Sequence, residues 1–169
     1  MKDFYRIEGE SAISEDLVRV ALDDGPFQPY FHFLVKVVEH RIVTRDPFLT
    51  ALHEAHPFVA GLMLIKPNSM YNWHADDNRG ASLNMMLIGG RSHCLFTNDA
   101  GEMVSAFEEL HYDPKHYYLL NTQATHCVVN FESPRLMFSL EFQEDKTTLS
   151  YEQLLLEIRS GAYCGARCG

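Results

Sequence analysis

The chain has 169 residues, 46% of them hydrophobic and 22% charged, which fits one globular domain with a sizeable core. A net charge of −9 argues against a broad phosphate-binding face, so nucleic acid is not expected as a partner. No apolar run approaches the roughly 20 residues that span a bilayer, the start at Met1-Lys2-Asp3-Phe4 lacks a leader, and four cysteines fit a reducing, cytoplasmic setting.

In chain order, residues 3–8 alternate as a short strand. Ser14-Glu15-Asp16 opens a helix over 14–22, with acidic residues in its first turn and Leu17, Val20 and Leu22 along it. Gly25-Pro26 stops it. The segment 27–43 reads two ways: its aromatic and β-branched content favours strand, while Phe31, Leu34, Val35 and Val38 fit a helical stripe. Asp46-Pro47 starts a helix that runs to about Ala55, and Pro57 ends it.

From there the texture changes. Strands are predicted over 59–65, 71–76, 82–88, 92–97, 104–111, 117–121, 126–131 and 135–142. Turn sequences such as Lys66-Pro67-Asn68-Ser69, Asp77-Asn78-Arg79-Gly80, Gly89-Gly90 and Asn98-Asp99-Ala100-Gly101 separate them. This predicts a mainly β fold with flanking helices, a jelly-roll or double-stranded β-helix. A last helix over 150–160 carries capping-box spacing at Ser150 and Gln153, with Gly161 at its end. The expected organisation is one domain over 1–169, with its core at 58–142, mixed N-terminal support over 1–57, and a C-terminal helix and tail over 143–169. The three longer helices are expected to cover the larger sheet. Cys94 and Cys127 read as core residues, and Cys164 and Cys168 as incidental thiols of a tail.

The chemistry concentrates around Tyr71-Asn72-Trp73-His74-Ala75-Asp76. On a strand, His74 and Asp76 point to one face, whereas Asp77 points to the other. His126 opens a buried-looking strand far along the chain. Its rivals His111 and His116 flank the turn Tyr112-Asp113-Pro114-Lys115 and look peripheral, and His93 reads as structural. Two imidazoles and one carboxylate on one side of a cation leave open positions opposite, which suits non-haem iron(II). Arg135 begins a strand on which Arg135, Met137, Ser139 and Glu141 share a face. If that face lines a jelly-roll interior, the guanidinium needs an anion, and a dicarboxylate would supply one.

The order His74-Ala75-Asp76, then His126 within residues 121–130, then Arg135 within 134–140, resembles the 2-oxoglutarate and iron(II)-dependent oxygenases. The flanking strands are similar to the prolyl hydroxylase-like branch, and the resemblance covers about residues 58–142. It implies Fe(II) held by His74, Asp76 and His126 as the catalytic centre, 2-oxoglutarate anchored by Arg135, and dioxygen as co-substrate. The implied reaction is hydroxylation of a side chain, prolyl or aspartyl/asparaginyl in a polypeptide first and a free amino acid second, with succinate and CO2 as co-products. Many relatives place a hydroxyl residue two positions after the arginine; here Met137 stands there, and Ser139 lies roughly 13 Å along the strand, too far to share a carboxylate. The tyrosine common on the strand after His-x-Asp is missing from Ser82–Leu87. Asn84 is then the candidate polar contact to the co-substrate, and Tyr71, Tyr117 or Tyr118 a candidate hydroxyl. Arg79 reads equally as a loop arginine balancing Asp77 or as a group at the mouth that binds an acidic substrate. Two other classes stay open: a cupin-like metalloenzyme that does not use 2-oxoglutarate, and a jelly-roll binding module without catalysis. The need for Arg135 separates the first from the oxygenase reading, and bound metal separates the second from both.

Overall fold

The computed structural model describes residues 2–23, 25–99 and 104–163. Strand β1 (Phe4–Arg6) is followed by α1 (Ser14–Leu22), β2 (Gln28–Tyr30), β3 (Phe33–Val37), α2 (His40–Val43) and α3 (Pro47–Ala55). Eight strands then run in succession: β4 (Phe58–Ile65), β5 (Ser69–His74), β6 (Ala81–Ile88), β7 (Ser92–Thr97), β8 (Glu108–Leu110), β9 (Tyr118–Asn121), β10 (Thr125–Asn130) and β11 (Arg135–Phe142). Helix α4 (Tyr151–Arg159) closes the described fold. The larger sheet has the order β1-β9-β6-β11-β4-β3-β2 and the smaller β5-β10-β7-β8, every pairing antiparallel. The chain from β4 to β11 thus passes back and forth between two facing sheets, the double-stranded β-helix that the strand pattern predicts.

Strand β11 shows how the sequence builds this arrangement. Its alternation sends Leu136, Phe138, Leu140 and Phe142 into the main core, while Arg135, Met137, Ser139 and Glu141 line the cavity between the sheets. Leu17, Leu49, Leu52 and Leu154, all fully buried, bring α1, α3 and α4 onto the opposite face of the larger sheet. A smaller core of Ile65, Cys94, Phe96, Leu110, Leu120 and Val128 holds the two sheets together.

The caps are specific. Asp46 precedes Pro47 and accepts from the backbone N–H of Phe48 (3.1 Å), while its second oxygen accepts from Ala12 N–H and the Tyr117 hydroxyl, each at 3.0 Å. One carboxylate therefore starts α3 and ties it to the turn before α1 and to the approach to β9. Ser150 caps α4 through Gln153 N–H at 3.2 Å. The reciprocal half of the capping box is missing, because the Gln153 amide donates to Glu157 instead.

Three expectations change. The ambiguous segment 27–43 divides into the β2–β3 hairpin and the short α2, with Phe31 at the hairpin tip in the left-handed region (φ 48°). The strand predicted over 71–76 ends at His74, because the Asp76 N–H leaves the sheet to donate to the Thr122 carbonyl at 2.8 Å. The strand predicted over 104–111 is only β8, since the Asp99 carboxylate binds the backbone N–H groups of Ser105 and Ala106 that a longer ladder would use. Ala100 and Gly101 of the predicted turn, and Cys164 and Cys168, lie outside the described residues.

Candidate active site

His74 and His126 face each other across the β5–β10 pair, with ring centroids 4.3 Å apart. The register shows how they meet. His126 opposes His74 and Val128 opposes Tyr71, so Asn72 and Trp73 together face Cys127 alone. This extra residue is a β-bulge. A regular strand would send Tyr71 and His74 to opposite faces, whereas the bulge turns both into the cavity, their rings 4.0 Å apart.

Asp76 reaches the pair from the segment after β5. Its Oδ1 lies 3.7 Å from His74 Nε2, and one donor atom each from His74, Asp76 and His126 falls within 4.8 Å of the others. His74 Nδ1 donates to the Asn72 carbonyl (2.6 Å) and His126 Nδ1 to the Ala124 carbonyl (2.9 Å). Each imidazole then carries its lone pair on Nε2, the arrangement that a carbonyl bonded to the other ring nitrogen imposes on metal-binding histidines. Burial lowers the pKa of His126, which favours its neutral, ligating form. Among the described residues no other group of three histidine, cysteine or acidic side chains is so disposed. The rivals lie elsewhere: His111 is exposed beside Glu109, His116 bonds the Pro114 carbonyl, His93 pairs with Glu109, and Asp77 is exposed on the rim.

A cavity of about 750 Å³ extends from this cluster to Arg135. Arg135 is 1% exposed, and its Nη1 donates to Ser92 Oγ at 2.8 Å. Its Nε has no partner, and its guanidinium lies 5.5 Å from the Tyr112 ring centre. It forms no ion pair with any described carboxylate, and the two titratable side chains against it, Cys94 and Tyr112, bring no negative charge. Burial pushes the Cys94 thiol up to about 11 despite Arg135, and burial raises the Tyr112 phenol as well, so both stay neutral near pH 7. A buried cation among neutral groups costs several kcal/mol, on the order of the effective desolvation penalty per ion, until an anion arrives. Asn84 Oδ1 and Tyr112 Oη are buried near each other with no hydrogen bond of normal geometry, so three of the four such atoms in the described residues line this one cavity. The donor set at one end fits a divalent cation, and the Arg135 guanidinium with the Tyr112 hydroxyl at the other fits one end of a dicarboxylate.

The structure thus places Asn84 and Tyr71 on the cavity wall, with Met137 and Ser139 between Arg135 and the mouth. Tyr118 does not line the cavity and its oxygen accepts from Asp113 N–H, while Tyr117 is bonded to Asp46 and Ser11 in the core. Arg79 neither balances Asp77 nor points freely at the mouth. Its Nε (2.9 Å) and Nη2 (2.7 Å) both donate to Asp76 Oδ2. Sequence reasoning missed Ser92 and Tyr112. The inward alternation of Ser92, Cys94 and Phe96 along β7 carries a signal for the first; Tyr112, in a loop, has none.

No protein-family model matches the sequence, and no curated protein matches it. The fold, by contrast, is similar to solved structures. A prolyl-4-hydroxylase from Pseudomonas putida superposes with a TM-score of 0.59 at 12% identity, covering 84% of this chain and 92% of that one. A collagen prolyl hydroxylase from Paramecium bursaria Chlorella virus-1, solved as a 2-oxoglutarate complex, gives 0.57 at 12% identity over 85% and 96%. A prolyl hydroxylase from Trichoplax adhaerens, in complex with a hypoxia-inducible factor peptide fragment, gives 0.58 at 11% identity over 83% of each chain. The chain has the double-stranded β-helix fold of the 2-oxoglutarate, iron(II) oxygenases of the prolyl hydroxylase type; at these identities the likeness is one of fold.

Proposed function

We propose that this protein is an iron(II)- and 2-oxoglutarate-dependent oxygenase that hydroxylates a side chain of a polypeptide, a prolyl or aspartyl/asparaginyl residue being the first candidate. The observation that carries the reading is Arg135, a buried cation without a carboxylate at the far end of the cavity that holds His74, Asp76 and His126. A cupin-like enzyme that does without 2-oxoglutarate has no use for that charge.

In this reading His74, His126 and Asp76 Oδ1 hold the cation on one side. Arg135 and Ser92 bind the far carboxylate of 2-oxoglutarate, and the unpartnered Tyr112 hydroxyl is placed to donate to it. Bound there, iron(II) with 2-oxoglutarate and dioxygen supplies the oxidising power to replace C–H by C–OH, with succinate and CO2 as co-products. Phe96, Val128 and Ile65 keep the space between the two ends apolar. At the mouth, Tyr30, Phe31, Val37 and Val59 line the cavity and remain exposed. A ligand enclosed inside would leave these rims wet, whereas a chain that continues past the cavity would cover them. The polypeptide complex of the Trichoplax hydroxylase supports the same choice.

The test is a metal titration followed by an anaerobic 2-oxoglutarate titration of the Fe(II)-loaded chain, read by its metal-to-ligand absorption. About one equivalent of metal is expected, lost in His74→Ala, together with a saturable 2-oxoglutarate band. Metal binding without that band transfers the site to the cupin-like class. No metal binding at all removes the enzymatic reading.

A further inference from the structure

Asp76 is held in an asymmetric way. Both Arg79 nitrogens converge on one oxygen, Oδ2, at 2.9 and 2.7 Å, while Oδ1 is the oxygen turned toward His74. The Asp76 side chain is only 10% exposed, so water does not compete freely for Oδ2. The loop that carries Arg79 is fixed independently of its guanidinium: Thr122 Oγ1 and Gln123 Nε2 each donate to the Arg79 carbonyl at 2.7 Å, and Gln123 Nε2 also donates to the Asp76 carbonyl. The backbone frame sets where the arginine stands, and the arginine sets which oxygen of the aspartate is available.

We propose that Arg79 is a positioning residue that occupies Asp76 Oδ2 and so restricts this carboxylate to one donor oxygen toward the cation. This rests on the oxygenase reading above. A carboxylate binds a cation with one oxygen or with two. Two imidazoles, a single carboxylate oxygen and a chelating co-substrate leave one further position on a six-coordinate ion; a second Asp76 oxygen would take it. The charge-assisted pair on Oδ2 opposes that, because swinging Oδ2 onto the cation breaks both hydrogen bonds and brings the guanidinium close to a like charge. The same pairing commits two of the Arg79 nitrogens to Asp76 and not to a substrate.

The experiment uses cobalt(II) in the full chain without oxygen, in wild type, Arg79→Lys and Arg79→Ala. The positions and intensities of the visible bands of bound Co(II) depend on its donor set and geometry, so they report the exchange of a water for a second carboxylate oxygen without turnover. Wild type and Arg79→Lys are expected to share a spectrum, since an ammonium still reaches Oδ2. Arg79→Ala is expected to bind one equivalent with a changed band pattern, and to bind 2-oxoglutarate about tenfold more weakly, because the co-substrate must displace the second Asp76 oxygen. Affinity for the metal alone does not discriminate, because losing the orientation weakens it while losing a nearby positive charge strengthens it. A circular dichroism spectrum unchanged from wild type is expected for Arg79→Ala, as the backbone clamp remains. An Arg79→Ala spectrum identical to wild type overturns the proposal while leaving the oxygenase reading intact. Loss of the wild-type spectrum in Arg79→Lys as well overturns it too, because the effect then follows something other than occupation of Oδ2. Failure of wild type to bind Co(II) overturns the underlying reading and this proposal with it.

Discussion

Replacing Arg135 separates what this residue does for stability from what it does for binding, and the two effects have opposite signs. In the ligand-free protein its guanidinium is fully buried, bonded to Ser92, and otherwise surrounded by the neutral Tyr112 and Cys94. Arg135→Met keeps the length of the side chain and removes an uncompensated charge. By the behaviour of buried ions replaced with apolar groups, it should stabilise the free protein by about 1–2 kcal/mol. For a chain of this size that corresponds to a rise of about 2–8 °C in Tm. Binding goes the other way. The unpartnered Nε is available to a carboxylate, which can also take over guanidinium hydrogens now turned to Ser92 and Cys94, and bonds to charged groups are worth about 1.5–3 kcal/mol each. Losing two of them costs about 3 kcal/mol or more, a hundredfold or greater loss of 2-oxoglutarate affinity. Arg135→Lys should keep part of the affinity, having the charge but neither the fork nor the planar contact with Tyr112. The assays are differential scanning calorimetry of the free chain and the anaerobic 2-oxoglutarate titration, with metal content as a control. A destabilised Arg135→Met chain that still binds 2-oxoglutarate normally would refute the reasoning, because the charge would then be a structural partner and not an anchor.

Two smaller predictions concern Ser92 beside Arg135 and, away from the cavity, His56. Ser92→Ala should weaken 2-oxoglutarate about tenfold without changing metal content, since it frees Arg135 to rotate; a titration comparing the two proteins decides this. His56 bridges Glu144 (2.7 Å) and Glu157 (2.8 Å), joining the end of α3 to α4. Burial opposes its charge, but the hydrogen bonds to Glu157 and Glu144 outweigh that and raise its pKa above 6.5. Burial likewise opposes ionisation of Glu157, yet bonds from Tyr163, Gln153 and His56 hold it below 4.5. The raised histidine contributes stability below 6.5 that is lost as pH rises through its folded pKa; the lowered glutamate contributes above 4.5 and loses it as pH falls. The stability difference between wild type and His56→Gln, measured by urea unfolding, should therefore be largest between about pH 5 and 6 and shrink by pH 9. A difference that grows toward pH 9 would contradict the assignment.

What the sequence discloses follows from which interactions are local. Helices 14–22 and 47–55 and the strand 135–142 are legible because caps, proline and alternation act within a few residues of the chain. The approach of His74, Asp76 and His126 is legible in outcome but not in cause. Period-two geometry suggests that His74 and Asp76 share a strand face, whereas Asp76 lies beyond the strand and a bulge at Asn72-Trp73 aims His74. Segment 27–43 stays ambiguous in sequence because its aromatic residues fit either period; the tight turn at Phe31 decides for a hairpin. Ser92, Tyr112 and the Arg79–Asp76 pair depend on contacts between distant segments or on loop geometry, which periodicity does not encode.

The two ends of the site belong mainly to different sheets, and that makes their separation a property of the packing between sheets. His74 and His126 stand on β5 and β10 of the smaller sheet, while Arg135 stands on β11 of the larger. Phe96 lies between: it is 2% exposed, stacks on His126 with centroids 5.5 Å apart and 25° between planes, and sits 5.5 Å from Phe4 of the larger sheet. Phe96→Leu removes a ring from this spacer. As a change of shape within a packed core it should cost about 1–2 kcal/mol, and the sheets should settle closer at that point. Metal binding depends on neighbours within one sheet and should persist at one equivalent; 2-oxoglutarate must span both sheets and should bind at least tenfold more weakly, as angstrom-scale misplacement does in positioned sites. Leu154→Val is the matched control, because Leu154 packs α4 on the outer face of the larger sheet and touches neither end. It should lose comparable stability and keep full 2-oxoglutarate affinity. Equal losses of affinity in the two variants would show that general loosening, and not inter-sheet spacing, sets the distance between cation and anchor.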